Sequence, residues 1–466
     1  FESRSLLMIP KFALKSEIPI PIHVVESDKL DFLVEKLDIG AWVKVNAFVA
    51  DLGQILILPN SDGTISSVLV GWGKKSVRLR GRHHMGSVAL KLPKGTYEIV
   101  SGLLGLDLEH AHLAWVLAAY TFDRYKKKSG SLAILKASES IDTKRILIEA
   151  EGDFLTRDLI NTPSNDMGPD ALEDAFCKIA KKHKAKVTVI KGDDLLKNNF
   201  PMIHAVGRAS DQAPRLLDMR WGQESDPKVT LVGKGVCFDT GGLNIKPTAS
   251  MGLMKKDMGG SATVLGLAHM IMSLQLNVQL RVIVPAVENS ISANAYRPQD
   301  VLLSRKGLSV EINHTDAEGR LVLADALALA DEDKPDLLVC NATLTGAARV
   351  ALGPDVPPFF TDDDALANEI EKASIFCADP LWRMPFWDPY EELIQPDVAD
   401  LDNAPKGGFG GAITAALFLR RFVEQTKSFV HLDLYGWCPV AKPARTHGGA
   451  CQSARAMLSV IEARYE

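Results

Sequence analysis

The sequence predicts an α/β protein in two parts: a small mixed α/β N-terminal domain, then a large domain with a mostly parallel central sheet flanked by helices. Two observations point there. From residue 166 onward, strand-like runs rich in Val, Ile and Leu alternate with helical patterns, and such alternation puts parallel strands under covering helices. Before residue 140 the strand-like runs are shorter, are broken by Gly/Lys turns and lack that alternation. The chain has 466 residues, 46% of them hydrophobic, enough for more than one core at about 150 residues per domain. Residues 1–140 read as the N-terminal domain, 141–165 as a connecting helix and 166–466 as the large domain.

In the first part, residues 55–58, 67–70 and 88–90 read as strands and 108–125 as a helix. The basic segment 74–84 reads as a solvated strand edge guarded by charge. His83, His84, His110 and His112 have no carboxylate or cysteine frame around them and read as surface or cap histidines. A helix over 143–159 stops at Asn161-Thr162-Pro163-Ser164-Asn165, where proline and short polar residues end it. There follow a helix over 169–181, strands over 186–190 and 229–232, a helix over 261–273, a strand over 280–285, a helix over 319–330 and a strand over 336–340. In such sheets ligands bind in the loops at the carboxyl ends of the strands.

Charge and composition exclude several classes. The 53 basic and 58 acidic residues give a net charge of −5 with no long block of either sign, so no broad field draws nucleic acid or anionic lipid. Six cysteines are scattered without a CxxC pair, the pattern of reduced thiols in a cytoplasmic protein. No secretory n-region and h-region open the chain. Residues 258–280 carry no Asp, Glu, Lys or Arg, a length that could span a bilayer. The Gly259-Gly260 break and the later Ser273, Gln275, Asn277 and Gln279 favour a buried helix running into a strand instead.

The chemistry concentrates in strand-end loops. After the strand ending at Val232 comes Gly233-Lys234-Gly235-Val236-Cys237-Phe238-Asp239-Thr240-Gly241-Gly242, with Lys246 beyond it. Neither GxxxxGK[ST] nor a three-glycine dinucleotide loop is present, which removes both phosphate motifs. Asp257 opens the apolar helix, and taken alone it reads equally well as a helix cap. The next junction, Asn313-His314-Thr315-Asp316-Ala317-Glu318-Gly319-Arg320, adds two acids and an arginine at the mouth of another apolar helix. Asp239, Asp257, Asp316 and Glu318 gathered in one cleft would repel, and burial would drive some of them to bind protons. Two divalent cations cancel their formal charge of −4. Carboxylate-rich ligands suit Mg²⁺, Mn²⁺ or Zn²⁺, and a pair of ions suits hydrolysis. No HExxH zinc motif and no GxSxG elbow appears.

The runs VGKGVCFDTGGLNIKP, LMKKDMGGSA, NHTDAEGRLVLADAL and NATLTGA together resemble the leucyl aminopeptidase (cytosol aminopeptidase) family, in register from Asn161 to Ala347 and more weakly to the end of the chain. The resemblance implies a metal-dependent aminopeptidase that releases a leucine-like N-terminal residue from peptides. It implies one ion held by Asp239, Asp316 and Glu318, and a tighter one held by Lys234, Asp239, Asp257 and Glu318. Deprotonating such a lysine at neutral pH costs about 4–5 kcal/mol, which coordination and local positive charge supply. It further implies that Lys246 steadies the oxyanion, that Arg320 cradles a bicarbonate serving as base, and that Met254, Thr343, Leu344, Thr345 and Gly346 line the side-chain pocket. A homohexamer is expected by the same analogy.

Two departures stand out. His314 replaces the family's asparagine, which helps hold substrate, and is expected to act beside the ligands rather than as one. The stretch Tyr435 to Pro443 resembles a bacterial branch. The alternative is a relative acting mainly as a binding or regulatory protein, which the intact ligand set argues against. A binuclear phosphoesterase is disfavoured by the missing histidine ligands.

Overall fold

The computed structural model describes residues 10–127 and 133–466. The chain divides into two compact units, residues 1–154 with 440–447, and residues 155–439 with 448–466. The helix Thr143–Asn161 begins in the first and ends in the second.

In the first unit, strands β1 (Ile20–Glu26), β2 (Ile55–Pro59), β3 (Ile65–Gly73), β4 (Gly95–Ser101) and β5 (Ala133–Leu135) form one sheet in the order β2-β3-β1-β4-β5. Its core joins Val68, Val70, Tyr97 and Trp115 to the helix Gly105–Ala118. Residues 88–90, expected as a strand, lie in the helix Met85–Lys91. A three-residue apolar run does not distinguish the two states, and Met, Ala, Leu and Lys are good helix formers. The basic segment is likewise no strand edge but the short helix Lys75–Arg78 and a turn, with Arg78 bonded to the main chain of Trp72 and Gly73. His112 is not a surface histidine. It is fully buried, and its Nε2 accepts the Ser138 N–H, so Nδ1 carries the proton and donates to the Leu108 carbonyl. Burial lowers its pKa and keeps the ring neutral.

The second unit holds β6 (Lys186–Lys191), β7 (Arg215–Trp221), β8 (Lys228–Gly233), β9 (Gly235–Asp239), β10 (Gln279–Asn289), β11 (Val301–Leu303), β12 (Ser309–Glu311), β13 (Leu337–Ala342), β14 (Pro358–Phe360), β15 (Trp382–Arg383), β16 (Leu401–Asp402) and β17 (Phe429–Asp433). The large sheet runs β15-β14-β17-β13-β8-β10-β7-β6, with β9 on β10. Its centre, β17, β13, β8 and β10, is parallel, while β7 and β6 join antiparallel. The central strands are buried on both faces, as their unbroken apolar runs require. The apolar helix Gly259–Leu274 is buried from Gly259 to Met272. No helix among the described residues is long and apolar enough to cross a membrane. All six cysteines are free thiols.

Candidate metal centre

Because β8, β10, β13 and β17 are parallel, their carboxyl ends lie on one edge, and the loops leaving that edge carry the polar residues. Lys234 links β8 to β9, Asp239 ends β9, and Asp257 follows the 3₁₀ turn Met254–Lys256. Asp316 precedes the helix Glu318–Glu332, whose first turn carries Glu318 and Arg320. The Asp239-Thr240-Gly241-Gly242 turn depends on its glycines. Both have positive φ, 87° and 64°, and a Cβ on Gly241 would stand 2.5 Å from the Asn244 carbonyl oxygen.

The structure brings Asp239, Asp316 and Glu318 together, with one carboxylate oxygen of each within 4.8 Å of the others. Lys246 Nζ lies 2.8 Å from Asp239 Oδ2 and touches Asp316 Oδ1. Lys234 Nζ lies 2.6 Å from Asp257 Oδ2 and 2.9 Å from Glu318 Oε1, and donates to the Thr343 carbonyl. Lys234, Asp239, Asp257 and Glu318 are all at most 3% exposed. Yet Asp316 Oδ1 and Glu318 Oε1 are buried without an aligned hydrogen bond, although each lies near an ammonium.

The electrostatics follow from crowding. Burial, then the charge of Asp239, raises Asp316 to about 6 against the pull of Lys246. The same two causes push Glu318 well above the carboxylate range. Asp257 goes the other way, because Lys234 and Lys256 outweigh its burial. Burial works against the ammonium of Lys234, but Asp257, Glu318 and Asp239 overcome it and hold the proton more tightly than usual. Lys246 is raised likewise by Asp239 and Glu318 against burial. Buried carboxylates with unbonded oxygens and raised proton affinity need more positive charge than two lysines bring, so the residues fit divalent cations.

Arg320 is drawn down to about 10 by burial, partly offset by Glu318, Asp433 and Asp402, and its buried Nε and Nη1 have no hydrogen-bond partner among the described residues. The expected pocket residues follow β13. The Thr343 hydroxyl sits 2.9 Å from Asp257 Oδ1, and Thr345 bonds Asp433 and caps the helix Gly346–Leu352. Met254 and Leu344 are half-buried, and a Cβ on Gly346 would meet nothing within 4 Å. His314 is exposed, and its Nδ1 accepts the Asp316 N–H, which places its proton on Nε2.

Three further residues belong to this centre and were not singled out from the sequence. Asn289, ending β10, donates from Nδ2 to Asp239 Oδ1 at 2.8 Å and to the Thr315 carbonyl at 3.1 Å. Asn403 Oδ1 accepts the N–H groups of Asn313 and His314, and its Nδ2 donates to the His314 carbonyl, which pins the acidic loop. Lys256 is buried beside Asp257, and burial lowers its ammonium to about 8. A polar residue closing a long apolar strand is the signal that marks Asn289; the other two carry none.

Comparison with known proteins places this geometry. Residues 154–458 match the catalytic domain of the cytosol aminopeptidase family, and residues 20–137 match the M17 aminopeptidase N-terminal domain. A protein of Syntrophotalea carbinolica named "Probable cytosol aminopeptidase" is 34% identical over 455 residues, covering 91% of each chain. One of the same name from Aromatoleum aromaticum is 40% identical over 343 residues, 70% of this chain and 68% of that one. The crystal structure of a cytosol aminopeptidase from Coxiella burnetii superposes with a TM-score of 0.93 at 43% identity, over 97% of this chain and 99% of that one. The bottromycin maturation enzyme BotP in complex with Mn gives a TM-score of 0.85 at 30% identity, over 96% and 99%.

Proposed function

The chain belongs to the cytosol aminopeptidase family of metallo-exopeptidases, and from that premise we propose that it hydrolyses the N-terminal residue from peptides, with a leucine-like preference. The observation that carries this reading is the cluster of buried carboxylates, two of which, Asp316 and Glu318, keep an oxygen without a hydrogen bond, faced by two lysines at the carboxyl edge of the sheet.

Asp239, Asp316 and Glu318 would hold one divalent ion, and Lys234, Asp239, Asp257 and Glu318 the other, with Mn²⁺, Zn²⁺ and Mg²⁺ as the candidates. Mn is the metal named for the BotP complex. Such ions, when bound, polarise a carbonyl and acidify water. Lys234 would have to be without its proton to serve as a ligand, so loading the site would release protons. Lys246 keeps its ammonium and, set between Asp239 and Asp316, is the donor placed to stabilise negative charge on the scissile carbonyl oxygen. Arg320 offers its unpartnered Nε–H and Nη1–H to a bicarbonate ion, which contributes general-base chemistry when bound. Met254 and Leu344 supply apolar contacts for the substrate's side chain, Thr343, Thr345 and Gly346 frame that pocket, and His314 offers Nε2–H at the mouth.

The test is release of p-nitroaniline from leucine p-nitroanilide by chelated protein with and without Mn²⁺. Expected is metal-dependent release that falls by about a hundredfold or more in Asp257→Ala. Release independent of metal, or a variant equal to the native protein, overturns the reading. The assembly proposed is a homohexamer working in the cytoplasm, and a monomer mass by light scattering would overturn that part.

A further inference from the structure

Lys256 is only 5% exposed, yet among the described residues its ammonium makes no hydrogen bond and no ion pair. What it does meet is the face of Tyr435, with Nζ 5.1 Å from the ring centroid. A lysine kept only for packing carries its charge out to water along its aliphatic stem, and a buried one is normally paired with a carboxylate. Lys256 lacks that pairing, and only a small part of the residue reaches water. Two acids do face it, Asp257 and Asp433, but their oxygens are engaged elsewhere. Asp257 contacts Lys234 and Thr343, and Asp433 accepts from the N–H groups of Leu344 and Thr345 and from the Thr345 hydroxyl.

A second cation sits at the same ring. Arg349, on the helix Gly346–Leu352, places its guanidinium carbon 4.9 Å from the Tyr435 centroid, and among the described residues it too has no hydrogen-bond or ion-pair partner. Two cations at one aromatic ring repel each other, and the ring's quadrupole offsets that only partly. Arg349 is exposed to water, but the arrangement leaves the buried Lys256 without a bonded anion. Its position says which anion: Lys256 immediately precedes the ligand Asp257 and shares its 3₁₀ turn with Met254, and Tyr435 is followed by Gly436, which packs on Thr343.

Resting on the aminopeptidase reading above, we propose that Lys256 is a specificity-determining residue that binds the side-chain carboxylate of substrates beginning with glutamate or aspartate, with Arg349 adding positive potential. The enzyme then accepts acidic N-terminal residues alongside leucine and discriminates against lysine and arginine, whose charge meets Lys256.

The experiment compares kcat/KM for glutamyl and glutaminyl p-nitroanilides, which are nearly isosteric, in the full-length Mn²⁺-loaded protein and in Lys256→Met and Lys256→Arg. Taking the ratio within each protein cancels changes in folding or metal loading. Expected is a native Glu:Gln ratio of about ten or more, the worth of one charge-assisted hydrogen bond. That ratio should fall to about one in Lys256→Met and be partly restored in Lys256→Arg. A native ratio near one, or a ratio unchanged by Lys256→Met, overturns the inference without any demand on the variant's stability. Failure to release any residue, leucine included, overturns instead the aminopeptidase reading on which it rests.

Discussion

Asn289 offers the sharpest check on how the cluster is held. Its side chain is fully buried, and both Nδ2 hydrogens are used, one on Asp239 Oδ1 at 2.8 Å and one on the Thr315 carbonyl at 3.1 Å. Replacing it by leucine keeps the branched shape at a somewhat larger volume and removes both donors. Asp239 Oδ1 then keeps only the Gly241 N–H at 2.9 Å, whereas the Thr315 carbonyl still accepts the Tyr296 hydroxyl. The loss is therefore mainly one charge-assisted bond, about 1.5–3 kcal/mol, less whatever apolar contact leucine gains. Asp239 is, with Glu318, one of the two carboxylates shared by both proposed ions, so its aim matters more than its charge. A lost orienting partner of this kind weakens metal affinity by about ten- to a hundredfold. The assay is Mn²⁺ titration in competition with a chelator, run beside urea unfolding of the metal-free protein. An affinity within about threefold of native, together with a stability loss of about 2 kcal/mol, would refute the reasoning, because Asn289 would then hold only the loop.

Three further outcomes are expected. Lys246→Met should lower kcat by about a hundredfold or more while bound metal, measured by elemental analysis, stays near native; loss of the metal itself would show that Lys246 acts on the ligands instead. Gly260→Ala should destabilise the fold by about 3 kcal/mol in urea unfolding, since the new Cβ would stand 2.2 Å from the Asn341 carbonyl oxygen and force helix from strand; an unchanged midpoint would contradict that close approach. Asp325 is fully buried, and burial raises its carboxyl to about 7 despite the backbone N–H groups of Arg305, Ile203 and Met202. Between about pH 4, its unfolded value, and pH 7 the folded chain holds a proton that the unfolded chain has released. Its stabilising contribution is thus complete below pH 4 and is lost as pH rises through 7. Unfolding of chelated protein across that range should show a downward slope with pH that Asp325→Asn flattens, and parallel slopes would refute the assignment.

The residues proposed as ligands could be picked out in the sequence because they sit where local chemistry marks them. Asp239 ends an apolar strand and opens a double-glycine turn, and Asp316 and Glu318 stand at the mouth of a helix rich in Leu, Val and Ala. Acids in such apolar surroundings announce a compensating charge. Lys256 carries no such mark, since a Lys-Lys pair in a sequence looks like any two solvated cations; only burial against Tyr435 separates it from Lys255, which bonds the Asn161 carbonyl. The strand Arg215–Trp221 was equally hidden, because its two arginines and an aspartate interrupt the apolar pattern. Arg281, on the neighbouring strand, pairs with that aspartate, Asp218, so the charges are satisfied only across the sheet.

The sequence by itself determined the alternation of strand and helix, the parallel centre of the sheet and the residue types at its carboxyl edge, because side-chain periodicity and turn chemistry act over a few residues. Which of those side chains meet was decided by tertiary structure alone. Pairing β8 with β13 and β10 sets Lys234 against Asp257, Glu318 and the Thr343 carbonyl, and Asn289 against Asp239, across separations of up to 109 residues. Hydrogen bonding and desolvation act at contact distance, so the bonded carboxylates, the orphaned ones and the unpartnered Lys256 are fixed only when the sheet has closed.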